Sequence, residues 1–134
     1  MSTQLEAARA GTITDEVMFV AEAEQLDAEL VRENIAAGTV VIPASKQHLK
    51  TNLKPCGIGR VLSTKVNANI GASSVRSSVE VEIEKMQVAL VAGADAIMDL
   101  STAGNLDATR EKLLALCSVP FGTVPIYQVI EGRN

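Results

Sequence analysis

Tryptophan is absent, and the 134 residues hold one tyrosine and two phenylalanines, 2% aromatic in all. A surface that stacks bases needs aromatic faces, so this poverty argues against a single-strand nucleic-acid binder. Positive charge is also short. Twelve Lys and Arg against sixteen Asp and Glu leave a formal net charge of -4, which argues against nucleic acid or an anionic membrane surface as partner. No apolar run approaches the ~20 residues of a membrane span. The opening Met1-Ser2-Thr3-Gln4-Leu5-Glu6 has neither the basic nor the apolar region of a secretory leader. Cys56 and Cys117 stand 61 residues apart, in no ligand spacing. They read as ordinary thiols of a protein kept in the reducing cytoplasm, not as a disulfide scaffold. The one histidine, His48, lies in a polar stretch with no second ligand at metal spacing, so it reads as a loop residue.

What is present is a core. Apolar residues make up 47% of the chain, enough for one folded domain. Leu5, Ala8 and Arg9 follow a possible Thr3 cap, and Gly11 ends that helix. Thr14 is a good cap for a second helix, with Asp15 and Glu16 where the macrodipole favours acids. Val17, Val20 and Ala21 form its apolar stripe, with Phe19 as a further candidate. Asp27 starts a third helix carrying Leu30, Val31 and Ile35, and Gly38 suits its C-terminal turn. Thr39-Val40-Val41-Ile42 reads as a short strand stopped by Pro43. Residues 43–63 are punctuated by Pro and Gly and read as loop. The expected organisation is a helical region with one short strand over 1–58, then strand and helix alternation over 59–134.

Lys65-Val66-Asn67-Ala68-Asn69-Ile70-Gly71-Ala72-Ser73 is a short alternating run that stops at glycine and opens into a Ser-rich turn. Ala96-Ile97-Met98-Asp99-Leu100-Ser101-Thr102 and Gly122-Thr123-Val124-Pro125-Ile126-Tyr127-Gln128 repeat that layout. Asn69, Met98 and Tyr127 follow one another at intervals of 29 residues. A strand, a crossover helix and two loops need about that length, so the spacing predicts a right-handed βαβαβ run. Its strands are expected over 64–69, 95–99 and 121–125, near-continuously apolar because both faces are covered. Ser77, with Glu80 as a capping-box partner, is expected to start the first helix, with Val79, Ile83, Met86, Leu90 and Val91 inward. Glu80, Glu82, Glu84 and Lys85 then make a solvated face. Asp107 is expected to cap the second helix, which holds Leu113, Leu114 and Leu116. Only about three such units are present, so the unit is either an open sheet or the first part of a (β/α)8 barrel.

Ligands of parallel α/β folds sit at the C-terminal strand ends. Asn69, Met98, Asp99, Ser101, Thr102 and Tyr127 are therefore the candidates. Asn69 offers an amide that donates and accepts, Met98 a soft apolar contact, and Tyr127 a ring and a hydroxyl. The Gly71-Ala72-Ser73-Ser74 turn leads to a helix start whose N–H groups suit an anion, though it has neither phosphate-loop spacing. The bland readings are that Met98 is core, that Asn69 satisfies a strand end and that Tyr127 packs on helices. Pattern alone reaches a small-molecule site in an α/β fold.

Val66-Asn67-Ala68-Asn69-Ile70-Gly71, Gly93-Ala94-Asp95-Ala96-Ile97-Met98-Asp99-Leu100-Ser101-Thr102 and Gly122 to Gln128 resemble the phosphomethylpyrimidine synthase family of thiamin biosynthesis. So do Gln4 to Arg9, Gly11, Ile13-Thr14 and the Gly38 to Pro43 segment, so the resemblance spans essentially the whole chain. It implies a helical region followed by a (β/α)8 barrel of TIM type, incomplete in this chain, and a radical S-adenosylmethionine lyase. In that family a reduced [4Fe–4S] cluster and S-adenosylmethionine rearrange 5-aminoimidazole ribotide into 4-amino-5-hydroxymethyl-2-methylpyrimidine phosphate, and a divalent metal, zinc, is also bound. Carried over by motif, Asn69, Met98 and Tyr127 become substrate contacts. The resemblance further implies a homodimer.

The departures bound that reading. The family's Cys-x-x-Cys-x-x-x-x-Cys motif does not occur, and two cysteines cannot hold a four-iron cluster. The family's metal-binding histidines and phosphate-binding residues belong to later strands. The chain is therefore expected to be an opening portion without catalytic or metal-ligating residues of its own, and inactive alone. The related 5-hydroxybenzimidazole synthase, which makes a cobamide precursor from the same ribotide, shares the three motifs, and Lys46-Gln47-His48 leans faintly toward it. Two readings of other classes remain: a non-catalytic module that binds a ribotide-like ligand, and an assembly piece whose open sheet edge pairs with a partner chain.

Overall fold

In the computed structural model, residues 2–75 and 78–131 are described. The chain divides into two compact units, Met1–Leu49 with Pro55–Thr64, and Lys50–Lys54 with Lys65–Asn134.

The first unit is mostly helical, and its helices begin where the sequence offers side-chain acceptors. Thr3 caps α1 (Gln4–Arg9) in a reciprocal box: its hydroxyl accepts from the Glu6 N–H at 3.1 Å, and the Glu6 carboxylate accepts from the Thr3 N–H at 2.7 Å. Thr14 caps α2 (Asp15–Glu24) through the Val17 N–H, and Asp27 caps α3 (Ala28–Ala36) through the Glu29 and Leu30 amides. Ala8, Val17, Val20, Ala21, Val31 and Ile35 close a core with Val40 and Ile42. Phe19 and Leu30 are not in it; they are 41% and 39% exposed. Gly38 takes a positive φ of 77° after α3, as a helix C-terminus often requires. β1 (Val40–Val41) pairs antiparallel with β2 (Ile58–Gly59). No sequence pattern marks β2, which is two residues long inside a Pro- and Gly-rich stretch. Gly59 is needed there because an added Cβ would collide with the Thr39 carbonyl. His48 opens a short 3-10 turn, His48–Lys50.

The second unit is the expected alternation: β3 (Asn67–Ile70), α4 (Val79–Val91), β4 (Ala96–Asp99), α5 (Leu106–Leu116), β5 (Phe121–Thr123) and α6 (Pro125–Glu131). The strands lie in the order β3-β4-β5, all parallel. Ile70, Met86, Ala94, Ile97, Leu113 and Cys117 form the core between the sheet and α4 and α5. Loop residues join it: the Lys54 N–H donates to Ser118 O, and the Asn52 amide donates to Leu116 O, each at 3.0 Å.

Several expectations change. β3 and β4 alternate in burial instead of being apolar on both faces. β3 runs exposed, half-buried, exposed, buried, because the helices of this unit cover one face only. Asn105, not Asp107, caps α5, accepting from the Ala108 N–H at 3.0 Å. Val91 and Leu116 point outward, 90% and 48% exposed. The third strand ends at Thr123 because Pro125 opens α6, its fixed φ and missing N–H suiting the first helical position. The expected Ser77 cap lies outside the described residues. Ser78 precedes α4 and makes no capping bond to the backbone. The architecture shown is mixed α/β with two small sheets, not a closed barrel.

Candidate functional site

β3 and β4 pair so that Asn69 stands opposite Met98. Across β4, the partner of Met98 is Gly122. Side chains alternate along a strand, and Ile70, Ile97 and Phe121 belong to the core face. Asn67, Asn69, Met98 and Gly122 therefore share the other face, which no described helix of this unit covers. Asn69 is exposed, and its side-chain oxygen accepts from the Asn67 amide at 2.9 Å. Met98 is half-buried and lies over β5: a Cβ on Gly122 would come within 2.8 Å of its methyl carbon and 3.0 Å of its sulfur. Glycine at 122 is what lets the thioether rest there.

Tyr127 does not continue this row. It is the third residue of α6, half-buried, with its N–H donating to Val124 O at 3.1 Å. The repeat of 29 residues matches the β3–β4 register but not the β4–β5 register. The structure thus brings Asn69 and Met98 together and places Tyr127 on the helix that leaves the C-terminal end of β5.

Behind the open face lies a buried polar network. Asp99, fully buried at the end of β4, accepts from the Ser101 N–H at 2.9 Å and from the Ser101 hydroxyl with one oxygen, and from Arg110 Nε at 2.9 Å with the other. Ser101 Oγ in turn accepts from the Ala72 N–H at 2.9 Å. Arg110 Nη1 donates to the Gln128 side-chain oxygen at 2.5 Å, and the Gln128 amide donates to Asp107. Arg110 Nη2 is buried with no partner among the described residues. Beside this, the Glu82 carboxylate accepts from the Gly71 N–H at 2.9 Å and pairs with Lys85 Nζ at 2.6 Å, while Lys85 also donates to Gly71 O at 3.1 Å.

These bonds bear on three expectations. Glu82 is not part of a solvated face: it is 1% exposed and closes the turn after β3. The Gly71-Ala72 end of that turn is already bonded, since Glu82 and Ser101 Oγ accept from its first two amides. Ser101, expected as a ligand contact, is buried and used by Asp99 and Ala72, whereas Thr102 stays exposed. A sequence signal for Arg110 did exist. Leu106, Arg110, Leu113 and Cys117 fall at helical spacing, and the first, third and fourth are buried. An arginine on that stripe must meet a buried acid.

Relatives share this stretch of sequence. A sequence profile described as the radical SAM ThiC family matches residues 3–134. The chain belongs to the radical SAM ThiC family. It is 50% identical over 133 residues to a protein named phosphomethylpyrimidine synthase from Desulforamulus reducens, covering 98% of this chain and 30% of the relative. It is 54% identical over 126 residues to one of that name from Thermus thermophilus, covering 94% of this chain and 29% of the relative. One from Thermoanaerobacter sp. strain X514 is 53% identical over 126 residues, again covering 94% and 29%. The chain thus spans about 30% of the length of these relatives.

Family membership implies S-adenosylmethionine and an iron–sulfur cluster, and the described residues do not fit the cluster. Cys117 is buried, its thiol donates to Val119 O at 3.3 Å, and burial raises its pKa above the ordinary 9.0. A cluster ligand needs the opposite, a stabilised thiolate. No group of three or more His, Cys, Asp or Glu able to hold a metal occurs among the described residues, and no helix among them is long and apolar enough to cross a membrane.

Proposed function

We propose that this chain supplies the opening portion of a radical S-adenosylmethionine carbon–carbon lyase of thiamin biosynthesis. The enzyme converts 5-aminoimidazole ribotide to 4-amino-5-hydroxymethyl-2-methylpyrimidine phosphate, in the cytoplasm and as a homodimer. The family match over residues 3–134 carries this reading, and the shared name of its relatives supports it. Residues 1–58 form the helical region, and 59–134 the first three β/α units of a (β/α)8 barrel. In such a barrel the bare face of β3-β4-β5 is the interior, and the C-terminal strand ends carry the site.

Asn69, Met98 and Tyr127 hold the ribotide. The Asn69 amide donates to and accepts from polar atoms of the substrate. The Met98 thioether lies against its heterocycle, and Tyr127 adds a ring and a hydroxyl. Ligands for the [4Fe–4S] cluster and for zinc come from outside this chain, and the cluster, when bound, supplies the radical chemistry. The contribution of these residues is binding, orientation and exclusion of water.

The test is the protein expressed from its native gene, reconstituted anaerobically with iron and sulfide. It is then supplied with S-adenosylmethionine, a reductant and the ribotide, and products are read by mass spectrometry. The pyrimidine phosphate is expected. No product, or 5-hydroxybenzimidazole in its place, overturns the reading. The 134-residue chain alone is expected to be inactive, and turnover by it alone refutes its role as a portion of the enzyme.

A further inference from the structure

Each proposed substrate residue is followed in sequence by residues bound into the network behind the sheet. After Asn69, Ile70 O accepts from the Leu100 N–H at 2.8 Å, and Gly71 is held by Glu82. Met98 is followed by Asp99, and Tyr127 by Gln128. One guanidinium joins the last two: Arg110 gives Nε to Asp99 and Nη1 to Gln128.

We propose that Arg110 is a positioning residue for the ribotide site, fixing through Asp99 and Gln128 where Met98 and Tyr127 stand relative to each other. The inference rests on the proposed function. Arg110 is itself buried on the helix side of the sheet, so it acts through its neighbours and touches no substrate. The alternation of strand side chains makes this possible. Asp99 points to α5 and Met98 to the open face, so holding Asp99 holds the backbone that carries Met98. At the other end, Gln128 anchors α6, where Tyr127 would otherwise be set only by a seven-residue helix. Arginine is the side chain for this task because its planar fork offers separate nitrogens at fixed angles. A lysine ammonium is a single point donor and cannot reach both acceptors in the same geometry. Ser101 extends the same tie to β3, since its hydroxyl joins Asp99 to the Ala72 amide.

The test is calorimetric titration of 5-aminoimidazole ribotide into the protein expressed from its native gene, kept free of cluster so that binding is read without turnover. The variants compared with wild type are Met98→Ala, Tyr127→Ala, Arg110→Lys, Gln128→Ala and the double variant Arg110→Lys/Gln128→Ala. Gln128→Ala leaves the buried Asp99–Arg110 bond intact, so it disturbs the fold less than a change at Arg110 itself. Arg110→Lys and Gln128→Ala are each expected to raise Kd about tenfold at unchanged stoichiometry, as misplacement of a contact by a fraction of an ångström does. The double variant is expected to be no worse than Arg110→Lys, because both break one link. A merely structural role lowers stoichiometry and leaves Kd alone. If Tyr127→Ala weakens binding but Arg110→Lys and Gln128→Ala keep the wild-type Kd, the positioning role is refuted and the site reading stands. If Tyr127→Ala and Met98→Ala both bind as wild type, the site reading itself fails, and the inference falls with it.

Discussion

Replacing Asp99 by asparagine changes one oxygen to nitrogen and leaves the volume the same. The structure nevertheless predicts that it is among the most damaging substitutions in the second unit. Both Asp99 oxygens face donors: Ser101 N–H and Oγ on one side, Arg110 Nε on the other. An amide must turn its NH₂ toward one of these sets, placing donor against donor. It also removes the carboxylate that the guanidinium meets at this site, where Arg110 is 8% exposed and Asp99 is at 0%. Breaking one partner out of a buried ion pair costs about 3–5 kcal/mol. A domain of this size has about 5–15 kcal/mol in total. With a urea m-value of about 2 kcal/mol/M, the midpoint falls by about 2 M. Tyr127 makes the assay specific. It is the one tyrosine in a chain without tryptophan, so its emission reports the second unit. A midpoint within about 0.5 M of wild type would refute the reasoning, because it would mean that the pair is solvated or that a neighbour rotates to accept from Arg110.

Four further outcomes are expected. Thr14→Ala removes both the α2 cap and the hydroxyl that donates to Gln4 at 2.8 Å, and should cost about 1 kcal/mol in urea unfolding followed by circular dichroism. Glu16 has its carboxyl held below its ordinary 4.5: burial pushes it up, but bonds from its own backbone amide, from Gln4 and from Thr14, with the charge of Lys46, outweigh that. The stability it adds is therefore present above pH 4.5 and lost as pH falls through the lower folded value, so the Tm difference between wild type and Glu16→Gln should shrink below pH 4.5. Iodoacetamide at about pH 8 should leave Cys117 unmodified in the native protein and alkylate it in urea, since burial keeps that thiol protonated; prompt native alkylation, read by mass spectrometry, would contradict its burial. Gly122→Ala should keep a near-wild-type urea midpoint, because the only close approach of the new methyl is to the flexible end of Met98, and, on the proposed function, should weaken ribotide binding in calorimetry by displacing that end.

What the sequence disclosed depended on whether the determining contact was local. The caps at Thr3, Thr14 and Asp27 were legible because capping joins residues two or three apart. The β3–α4–β4–α5–β5 order was legible because apolar spacing and glycine punctuation are local as well. β2 was not, since two residues pair with Val40 and Val41 only through a long loop. Glu82 was misread for a related reason. Among Glu80, Glu84 and Lys85 it looks like one member of a solvated face, and only the turn at Gly71 draws it inward. Val91 turns outward because it continues the solvent face of α4 with Glu84, Gln87 and Val88, while Leu90 beside it packs on the core.

The row Asn69, Met98 and Tyr127 was legible as far as its first two members, and the departure of the third has a physical cause. A constant interval locates equivalent positions only while each crossover has the same length. Between Asn69 and Met98 it does, and the register confirms their pairing. From β4 to β5 the crossover is shorter, so Gly122 takes the place opposite Met98. The interval then runs past the strand, through Pro125, into α6. A row of three strand residues thus becomes two strand residues and one on a helix, and the third needs an anchor that a sheet does not supply. Gln128, bound to Arg110, is that anchor. The open face can remain unencumbered because the residues that hold it in place are the alternate ones, facing the helices.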